Sequence, residues 1–355
     1  MAKLISQGSY GCVYYPGYNC EKKQFDEEIG LITKFVINNG FAVNEIYIGT
    51  LLKKIANYWL YFLPVIKSCK ISIKDFDSRE INKCELIEKE GENKRKNRYL
   101  TLLIPYLENY TFSSVFLNKD IKLSKNILSL INNYSYLISI INQLNNINVV
   151  HFDTHIDNIL FDKNNFIPIL IDFGLSIPFD QLNIDNISQL KHYFFVYAPD
   201  NSLWPIEVHI ICYYLEIYKK NIYLNERNIN SIINKVLENN TSLNIFSKKF
   251  KENYKRKVIS YFKKYDGVLF YDFLHDCISF EFYKSWDQYS ISILFFGLLR
   301  PIFSNGFIKN QYLMQFIQIL LININPNPKN RYSGIESKTN INNLITGQDL
   351  SEYRS

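Results

Sequence analysis

The chain has 355 residues and a formal net charge of +6, with 47% hydrophobic and 21% charged residues. These fractions are those of an ordinary globular protein, and they exclude a wholly disordered or a collagen-like chain. At ~150 residues per domain, the length suits two domains or one large bilobal domain. Because the small positive charge is spread along the chain, the composition predicts no specific nucleic-acid surface.

The six cysteines are scattered and form no C-x2-C pair. This pattern predicts free thiols in a reducing compartment and no zinc site. No apolar segment opens the chain, so no secretory signal is expected. The longest apolar runs, at residues 291–299 and 316–322, are far shorter than the ~20 residues that cross a bilayer. We therefore expect buried core helices there and no membrane association.

Short β-rich patterns predict strands at residues 4–5, 12–15, 31–37, 62–66 and 100–106. The apolar spacing of residues 44–55 predicts a helix among these strands. The first part of the chain, to about residue 105, is thus expected to be mostly sheet with one helix.

Beyond this part the pattern becomes helical. Residues 126–145 form a long amphipathic pattern, 149–161 and 166–171 suggest loop and short strands, and the chain from about 207 onward is largely helical. One of the later predicted helices contains six cationic residues: Lys248, Lys249, Lys251, Lys255, Arg256 and Lys257. They predict a solvated basic helix face, with docking of a substrate or partner as the alternative.

Two features of the first part suit phosphate binding. Gly8 and Gly11 lie in a turn between two predicted strands, where a backbone without Cβ atoms can approach phosphates and offer N–H groups. An ordinary β-turn would have the same glycines. Lys34 lies in an apolar strand and needs an anionic partner, which Glu45 on the next helix can supply. A solvent-facing lysine on an edge strand remains the alternative.

The decisive pattern is a set of oxygen ligands in the middle of the chain. Asp153 and Asn158 are five residues apart on one loop, and Asp172 follows a strand-like run. Phosphoryl transfer needs one Asp to orient the attacking hydroxyl, and a second Asp with an Asn to hold Mg²⁺ on the phosphates. These hard oxygen ligands suit Mg²⁺. The pattern therefore predicts a magnesium-assisted phosphotransferase.

Taken in order along nearly the whole chain, these motifs resemble the eukaryotic protein kinase family. The resemblance implies an α+β, bilobal, protein-kinase-like fold. A small β-rich N-lobe would cover residues 1–105 and a larger helical C-lobe residues 106–355, with a helical insertion at about 210–280 before the central C-lobe helix. ATP with Mg²⁺ would bind in the cleft between the lobes.

The resemblance also implies roles for individual residues. Asp153 would be the catalytic residue that accepts or orients the hydroxyl proton, assisted by Lys34, Asn158, Asp172 and His155. Asn158 and Asp172 would hold the metal. The adenine would contact the Pro105 carbonyl and the backbone of Leu107. The full nucleotide-binding set is Ser6, Gly8, Tyr10, Gly11, Val13, Lys34, Glu45, Pro105 and Leu107.

Three later elements extend the resemblance. Residues 204–207 are similar to the end of the activation segment, and Asp287 resembles the buried Asp that supports the catalytic loop. Arg331 resembles the late Arg that pairs with the Glu at position 207. The resemblance thus predicts a contact of Asp287 with the catalytic loop and an Arg331–Glu207 ion pair.

Three positions depart from the family pattern. Ser6 stands where the first glycine of the loop is usual, which alters loop mobility. Phe152 replaces an Arg that normally binds a phosphorylated activation loop, and this argues against switching by that route. His155 replaces a Lys that neutralises phosphate charge, and an ordinary imidazole is largely neutral at pH 7. That change affects the rate more than the reaction class.

The implied activity is transfer of phosphate to Ser or Thr hydroxyls of a protein substrate by a monomer. Tyr specificity is the lesser expectation. The biased composition and the large insertion resemble kinases of large DNA viruses, which act in host cytoplasm or in virions.

Two alternatives stay open. The loop at 151–158 also resembles aminoglycoside and choline phosphotransferases, which often have His at the position of His155. A pseudokinase would keep the fold and bind ATP without catalysis.

Overall fold

A computed structural model describes residues 2–8, 11–21, 23, 29–71, 83–86, 99–116, 123–217, 222–304 and 311–346. As predicted, the chain is α+β, with a small antiparallel sheet region and a larger helical part. It divides into two compact units. The first unit comprises Met1–Tyr110 and Leu160–Ser176, and the second comprises Thr111–Ile159 and Ile177–Ser355. Among the described residues, no helix has the length and apolar character needed to cross a membrane.

The first unit contains a five-stranded antiparallel sheet with the order β1-β2-β3-β5-β4. Its strands are β1 (Lys3–Gly8), β2 (Gly11–Tyr15), β3 (Leu31–Ile37), β4 (Lys67–Ile71) and β5 (Tyr99–Pro105), and helix α1 (Gly40–Leu52) follows β3. Alternate residues of a strand face opposite sides. Phe35 accordingly packs with Tyr14 and Tyr99 in one cluster, while Val36 packs with Ala42 of α1 in another. Lys34 shares the α1 side with Val36.

In this unit one predicted helix begins earlier than expected, and one predicted strand does not form. Helix α1 begins at Gly40, before the predicted start at 44, because the Asn39 side chain caps it by accepting a hydrogen bond from the Ala42 N–H at 3.0 Å. The predicted strand at 62–66 is wrong, and β4 follows it instead. Pro64 has no N–H to give to a sheet. The apolar residues Phe62 and Val65 are buried in the core.

The prediction of free thiols is wrong for four of the cysteines. Disulfides join Cys12 to Cys84, with Cα atoms 5.9 Å apart, and Cys20 to Cys69, with Cα atoms 5.6 Å apart. The partners are 72 and 49 residues apart in sequence, so no local spacing indicates the pairing. The other two cysteines, Cys212 and Cys277, are free and buried.

The remaining strands are short. β6 (Asn109–Thr111), β8 (Ile159–Asp162) and β9 (Pro168–Leu170) form a three-stranded sheet in the order β6-β8-β9. β7 (Val149–Val150) pairs with β10 (Ile177–Pro178) in the second unit. This pairing holds both ends of the segment that was predicted to carry catalytic residues.

The second unit is helical. Its helices are α2 (Phe112–Phe116), α3 (Leu123–Asn146), α4 (Ile187–Tyr193), α5 (Ile206–Ile217), α6 (Glu226–Asn239), α7 (Lys248–Phe262), α8 (Phe270–Ser279), α9 (Trp286–Ser304), α10 (Gln311–Asn323) and α11 (Gly334–Thr346). The long helix α3 packs against α9 and α11. Tyr134 of α3 hydrogen-bonds Ser292 Oγ at 2.8 Å and accepts a bond from Asn323 Nδ2 at 2.7 Å. The apolar runs at 291–299 and 316–322 lie in α9 and α10, where most of their side chains are buried, as predicted.

Candidate active site

In the first unit, Lys34 lies between two carboxylates. Its Nζ is 3.0 Å from both carboxylate oxygens of Glu45 and 2.8 Å from Asp172 Oδ1. The predicted Lys34–Glu45 ion pair is therefore present, and both of its side chains are buried. Asp172, predicted as a metal ligand, joins the same cluster while 34% of its side chain stays exposed. It thus retains a surface that a ligand can reach.

The charges of this cluster depend on one another. Burial acts to lower the pKa of Lys34, but the attraction of Glu45 and Asp172 outweighs burial and raises that pKa above its ordinary value. Lys34 therefore stays cationic. Burial raises the pKa of Glu45, and the charge of Lys34 opposes that rise. The first unit thus holds a buried cation with an anionic neighbour that is partly open to solvent.

Strand register places other predicted nucleotide-binding residues beside Lys34. Ser6 pairs with Val13, and Val13 pairs with Lys34 across neighbouring strands. Directly opposed residues of an antiparallel sheet share a face. Ser6, Val13 and Lys34 therefore line the same side of the sheet.

The two glycines of the predicted loop differ in whether their surroundings leave room for a side chain. A Cβ atom on Gly11 would lie 2.6 Å from the Phe35 carbonyl oxygen, so only glycine fits against β3. A Cβ atom on Gly8 would have no neighbour within 4 Å, so the space around this position is open. Tyr10, also predicted to contact the nucleotide, lies outside the described residues.

The predicted adenine contacts lie at the end of β5. Pro105 is the last residue of that strand and pairs with Leu31. The carbonyl of Leu107 accepts a hydrogen bond from Asn109 Nδ2 at 2.8 Å. A carbonyl oxygen has two lone pairs, so this bond leaves one acceptor position.

Asn44 holds the segment around Asp172, and sequence reasoning missed it. Its Nδ2 donates to the carbonyls of Gly174 at 3.0 Å and of Ser176 at 2.7 Å. Phe173 is buried against Phe62, with ring centroids 5.7 Å apart. In the sequence, the indication of this role was an asparagine next to Glu45 in the predicted helix. A buried amide needs partners, and here the partners are backbone carbonyls.

In the second unit, Asp287 supports the loop that precedes β8. Its two carboxylate oxygens accept the N–H groups of His151 at 2.7 Å and Phe152 at 2.9 Å. Burial raises the pKa of this carboxyl group, and His151 and the two N–H donors oppose that rise. The contact predicted from the resemblance is therefore present, and it fixes the backbone immediately before Asp153.

Asp153, Asn158 and His155 converge on this loop. Asn158 Nδ2 donates to the Asp153 carbonyl at 2.9 Å and to Asp153 Oδ2 at 3.0 Å. His155 Nε2 is 3.4 Å from the same Oδ2. The Asp153 carboxylate is therefore held in orientation, and 28% of its side chain is exposed. These bonds use the amide nitrogen of Asn158 and leave its oxygen as a possible metal ligand.

Each unit offers one oxygen donor of the kind that Mg²⁺ accepts. Mg²⁺ typically takes one or two carboxylates, with phosphate oxygens and waters completing its octahedron. Asp172 offers a partly exposed carboxylate and Asn158 an amide oxygen. Within the described ranges, no group of three or more His, Cys, Asp or Glu side chains is arranged to hold a metal by itself.

Phe152, the residue before Asp153, joins an aromatic cluster. Its ring stacks on Trp204 at 4.7 Å between centroids and contacts Phe194 and Trp286 at 5.7 and 6.3 Å. Trp204 Nε1 donates to the Phe152 carbonyl at 2.8 Å. These four aromatic side chains are buried. The cluster thus ties the segment that ends at Trp204 to the loop that carries Asp153.

Replacing Trp204 with Phe should lower the free energy of unfolding by about 1–3 kcal/mol, because the buried Phe152 carbonyl loses its donor. Denaturant unfolding at equilibrium measures this loss. Trp59→Phe, at a side chain that is 58% exposed, should change stability by less than ~0.5 kcal/mol. Equal effects of the two substitutions would contradict the positioning role of Trp204.

The Arg331–Glu207 ion pair predicted from the resemblance is also present. Nη1 and Nη2 of Arg331 donate to the two carboxylate oxygens of Glu207 at 2.6 and 3.2 Å. Nη1 also donates to Ser285 Oγ, and Nε to the Asn325 carbonyl, both at 3.0 Å. Both charged side chains are almost fully buried. Burial acts to lower the pKa of Arg331, but the charge of Glu207 outweighs burial and raises it.

No protein-family model matches this chain, and no curated protein matches it significantly. The functional assignment consequently depends on the residues and their geometry within each unit.

Proposed function

We propose that this protein is a protein kinase with a protein-kinase-like fold, which transfers phosphate from ATP to Ser or Thr hydroxyls of a protein with the help of Mg²⁺. The supporting observation is that each unit holds one half of the required chemistry. Lys34 is held by Glu45 and Asp172 in the first unit, and Asp153 is oriented by Asn158 in the second. Such a combination of charges is what phosphoryl transfer needs.

In this proposal the first unit binds the nucleotide. Lys34 supplies a permanent positive charge for the phosphates, because its neighbours keep it protonated. Glu45 fixes the position of the ammonium group. Gly8 offers open backbone at the turn, and Val13 lies on the same sheet face as Lys34. Pro105 and Leu107 would contact the adenine.

Asp172 and Asn158 would hold Mg²⁺, which neutralises charge on the transferring phosphate when it is bound. Asp172 is suited to this role because it remains partly exposed. Asn158 is suited to it because its amide nitrogen is already used in the bonds to Asp153.

Asp153 would orient the substrate hydroxyl and accept its proton. The bond from Asn158 Nδ2 fixes one carboxylate oxygen, so the other can face the hydroxyl. His155, 3.4 Å from the bonded oxygen, would add positive charge near the reacting groups when it is protonated. This arrangement requires no covalent intermediate on the protein.

A small-molecule kinase is the second candidate, and the contact of His155 with Asp153 favours it. Against it stand the buried Arg331–Glu207 pair and the support of the loop by Asp287. Both of these contacts were predicted from the resemblance to protein kinases. The phosphate acceptor distinguishes the two candidates.

Nucleotide binding tests the proposal without requiring turnover. ATP with Mg²⁺ should raise the unfolding temperature of the protein, since a ligand at ~100 times its Kd adds about 2.7 kcal/mol of stability. Asp172→Asn should lose the part of this shift that depends on Mg²⁺. Thermal unfolding with ATP, with and without Mg²⁺, measures both.

Asp185→Asn is the control, because Asp185 is exposed and lies outside the proposed site. It should keep the full shift. If Asp172→Asn kept the full Mg²⁺-dependent shift, the metal role of Asp172 would be wrong. If ATP with Mg²⁺ gave the wild-type protein no shift, the proposed function would fail.

A further inference from the structure

Helix α7 has an exposed face that the proposed catalysis does not use. Its side chains recur at helical spacing, and the face continues into the short 3-10 turn Lys263–Tyr265. The members, here called the basic face, are Lys249, Asn253, Arg256, Lys257, Ser260 and Lys264. All six are exposed, and four of them are cationic. Three of these cations belong to the basic helix predicted from the sequence.

Two cations beside the basic face have carboxylate neighbours, whereas three cations on it do not. Lys248 is 3.9 Å from Glu252, and Lys263 is 3.7 Å from Glu226. Within the described part of the chain, Lys249, Arg256 and Lys257 form no ion pair with a carboxylate. Their charges are therefore available to an anionic partner from outside the molecule.

A shallow, open depression lies on the basic face. It has a volume of about 360 Å³ and is lined by Asn253, Arg256, Lys257, Ser260 and Tyr261. Two cations, an amide and a hydroxyl thus border one open depression. Arg binds carboxylates through two parallel hydrogen bonds, and amide and hydroxyl groups add neutral donors. The lining therefore suits an acidic side chain.

The positive charge continues past the end of α7. Lys264 Nζ lies over the rings of Tyr261 and Tyr265, 4.3 and 4.6 Å from their centroids. Burial lowers the pKa of Lys264, and Lys329 adds to that effect, whereas Asp276 opposes it. Lys329 comes from a different element and brings a further cation close to this end of the face.

We propose that the basic face binds an Asp/Glu-rich segment of the protein substrate, a role that rests on the proposed kinase function. The uncompensated charges select an acidic partner, and long-range attraction speeds its association. Among the described residues that line the depression, one is aromatic, Tyr261. Single-stranded nucleic acids are typically bound by stacking successive bases on several aromatic side chains, so a lining with two cations, an amide, a hydroxyl and a single ring favours a polypeptide.

The test measures binding of a fluorescent Asp/Glu-rich peptide to the full chain without nucleotide. The variant combines Lys249→Gln, Arg256→Gln and Lys257→Gln, which keep good helix formers at exposed positions. Its affinity for the peptide should fall about tenfold, because three exposed charge pairs are lost. A neutral Asn/Gln peptide should not bind the wild-type protein. Thermal unfolding should show that the variant remains folded.

The matched control combines Lys54→Gln, Lys235→Gln and Lys338→Gln, three exposed lysines elsewhere that remove the same charge. It should bind the acidic peptide with nearly wild-type affinity. The proposal is overturned if both variants lose affinity equally, if the wild type does not bind the peptide, or if it prefers a single-stranded oligonucleotide.

A kinetic experiment distinguishes a failure of this docking proposal from a failure of the proposed kinase function. With a phosphorylatable substrate that carries an acidic segment, the basic-face variant should show a raised KM and an unchanged turnover number. An unchanged KM would overturn the docking role. Peptide binding by a wild-type protein that transfers no phosphate would refute the kinase function and, with it, the substrate role of the face.

Discussion

Replacing Asp153 with Asn should lower the rate of phosphoryl transfer by about 10²–10⁴-fold, the range that a positioned general base contributes. The amide has nearly the same shape as the carboxylate but cannot accept the hydroxyl proton. Binding of ATP with Mg²⁺ should be spared, because Lys34 and Asp172 are unchanged. Transfer of labelled γ-phosphate and the nucleotide-dependent shift in unfolding temperature measure the two properties on one preparation.

Asp272→Asn serves as the control, since Asp272 is exposed on α8. It should keep the wild-type rate. Full activity of the Asp153→Asn variant would show that the role of Asp153 is wrongly assigned. A joint loss of activity and nucleotide binding would instead indicate that Asp153 supports the fold of the site.

Replacing Arg331 with Met should lower the free energy of unfolding by about 3–5 kcal/mol, because Glu207 then remains buried without its partner. Both side chains are nearly inaccessible, with 2% and 1% of their surfaces exposed, so water cannot replace the lost contact. Denaturant unfolding at equilibrium measures the loss.

Glu207→Gln combined with Arg331→Met should recover part of this loss, since the second substitution removes the unpaired charge. Lys248→Met breaks a solvent-exposed pair with Glu252 and should cost less than ~1 kcal/mol. A loss of that small size for Arg331→Met would contradict the account of the buried pair.

Parts of the candidate site could be predicted because the chemistry leaves few alternatives. A lysine in an apolar strand requires an anion, and the following helix offered Glu45, which lies 3.0 Å away. Asp153 and Asn158 could be predicted to meet because only a short loop separates them. The roles of these residues in catalysis remain predictions.

Other contacts depend on long-range packing, which a single sequence does not encode in a visible pattern. Asp172 reaches Lys34 across 138 residues, and Cys12 reaches Cys84 across 72. Asn44 binds carbonyls that are 130 and 132 residues away. The strand predicted at 62–66 failed for a local reason, because its apolar residues serve the core while Pro64 cannot donate to a ladder.

The most direct test of the central claim is transfer of labelled γ-phosphate from ATP with Mg²⁺. Mixed proteins are offered in one reaction, and aminoalcohols and aminoglycosides in another, with Asp153→Asn as the control in both. The account predicts label on Ser or Thr of proteins that disappears in the variant. Label on a small molecule would assign the chain to the second candidate. The absence of transfer to any acceptor would contradict the proposed catalysis.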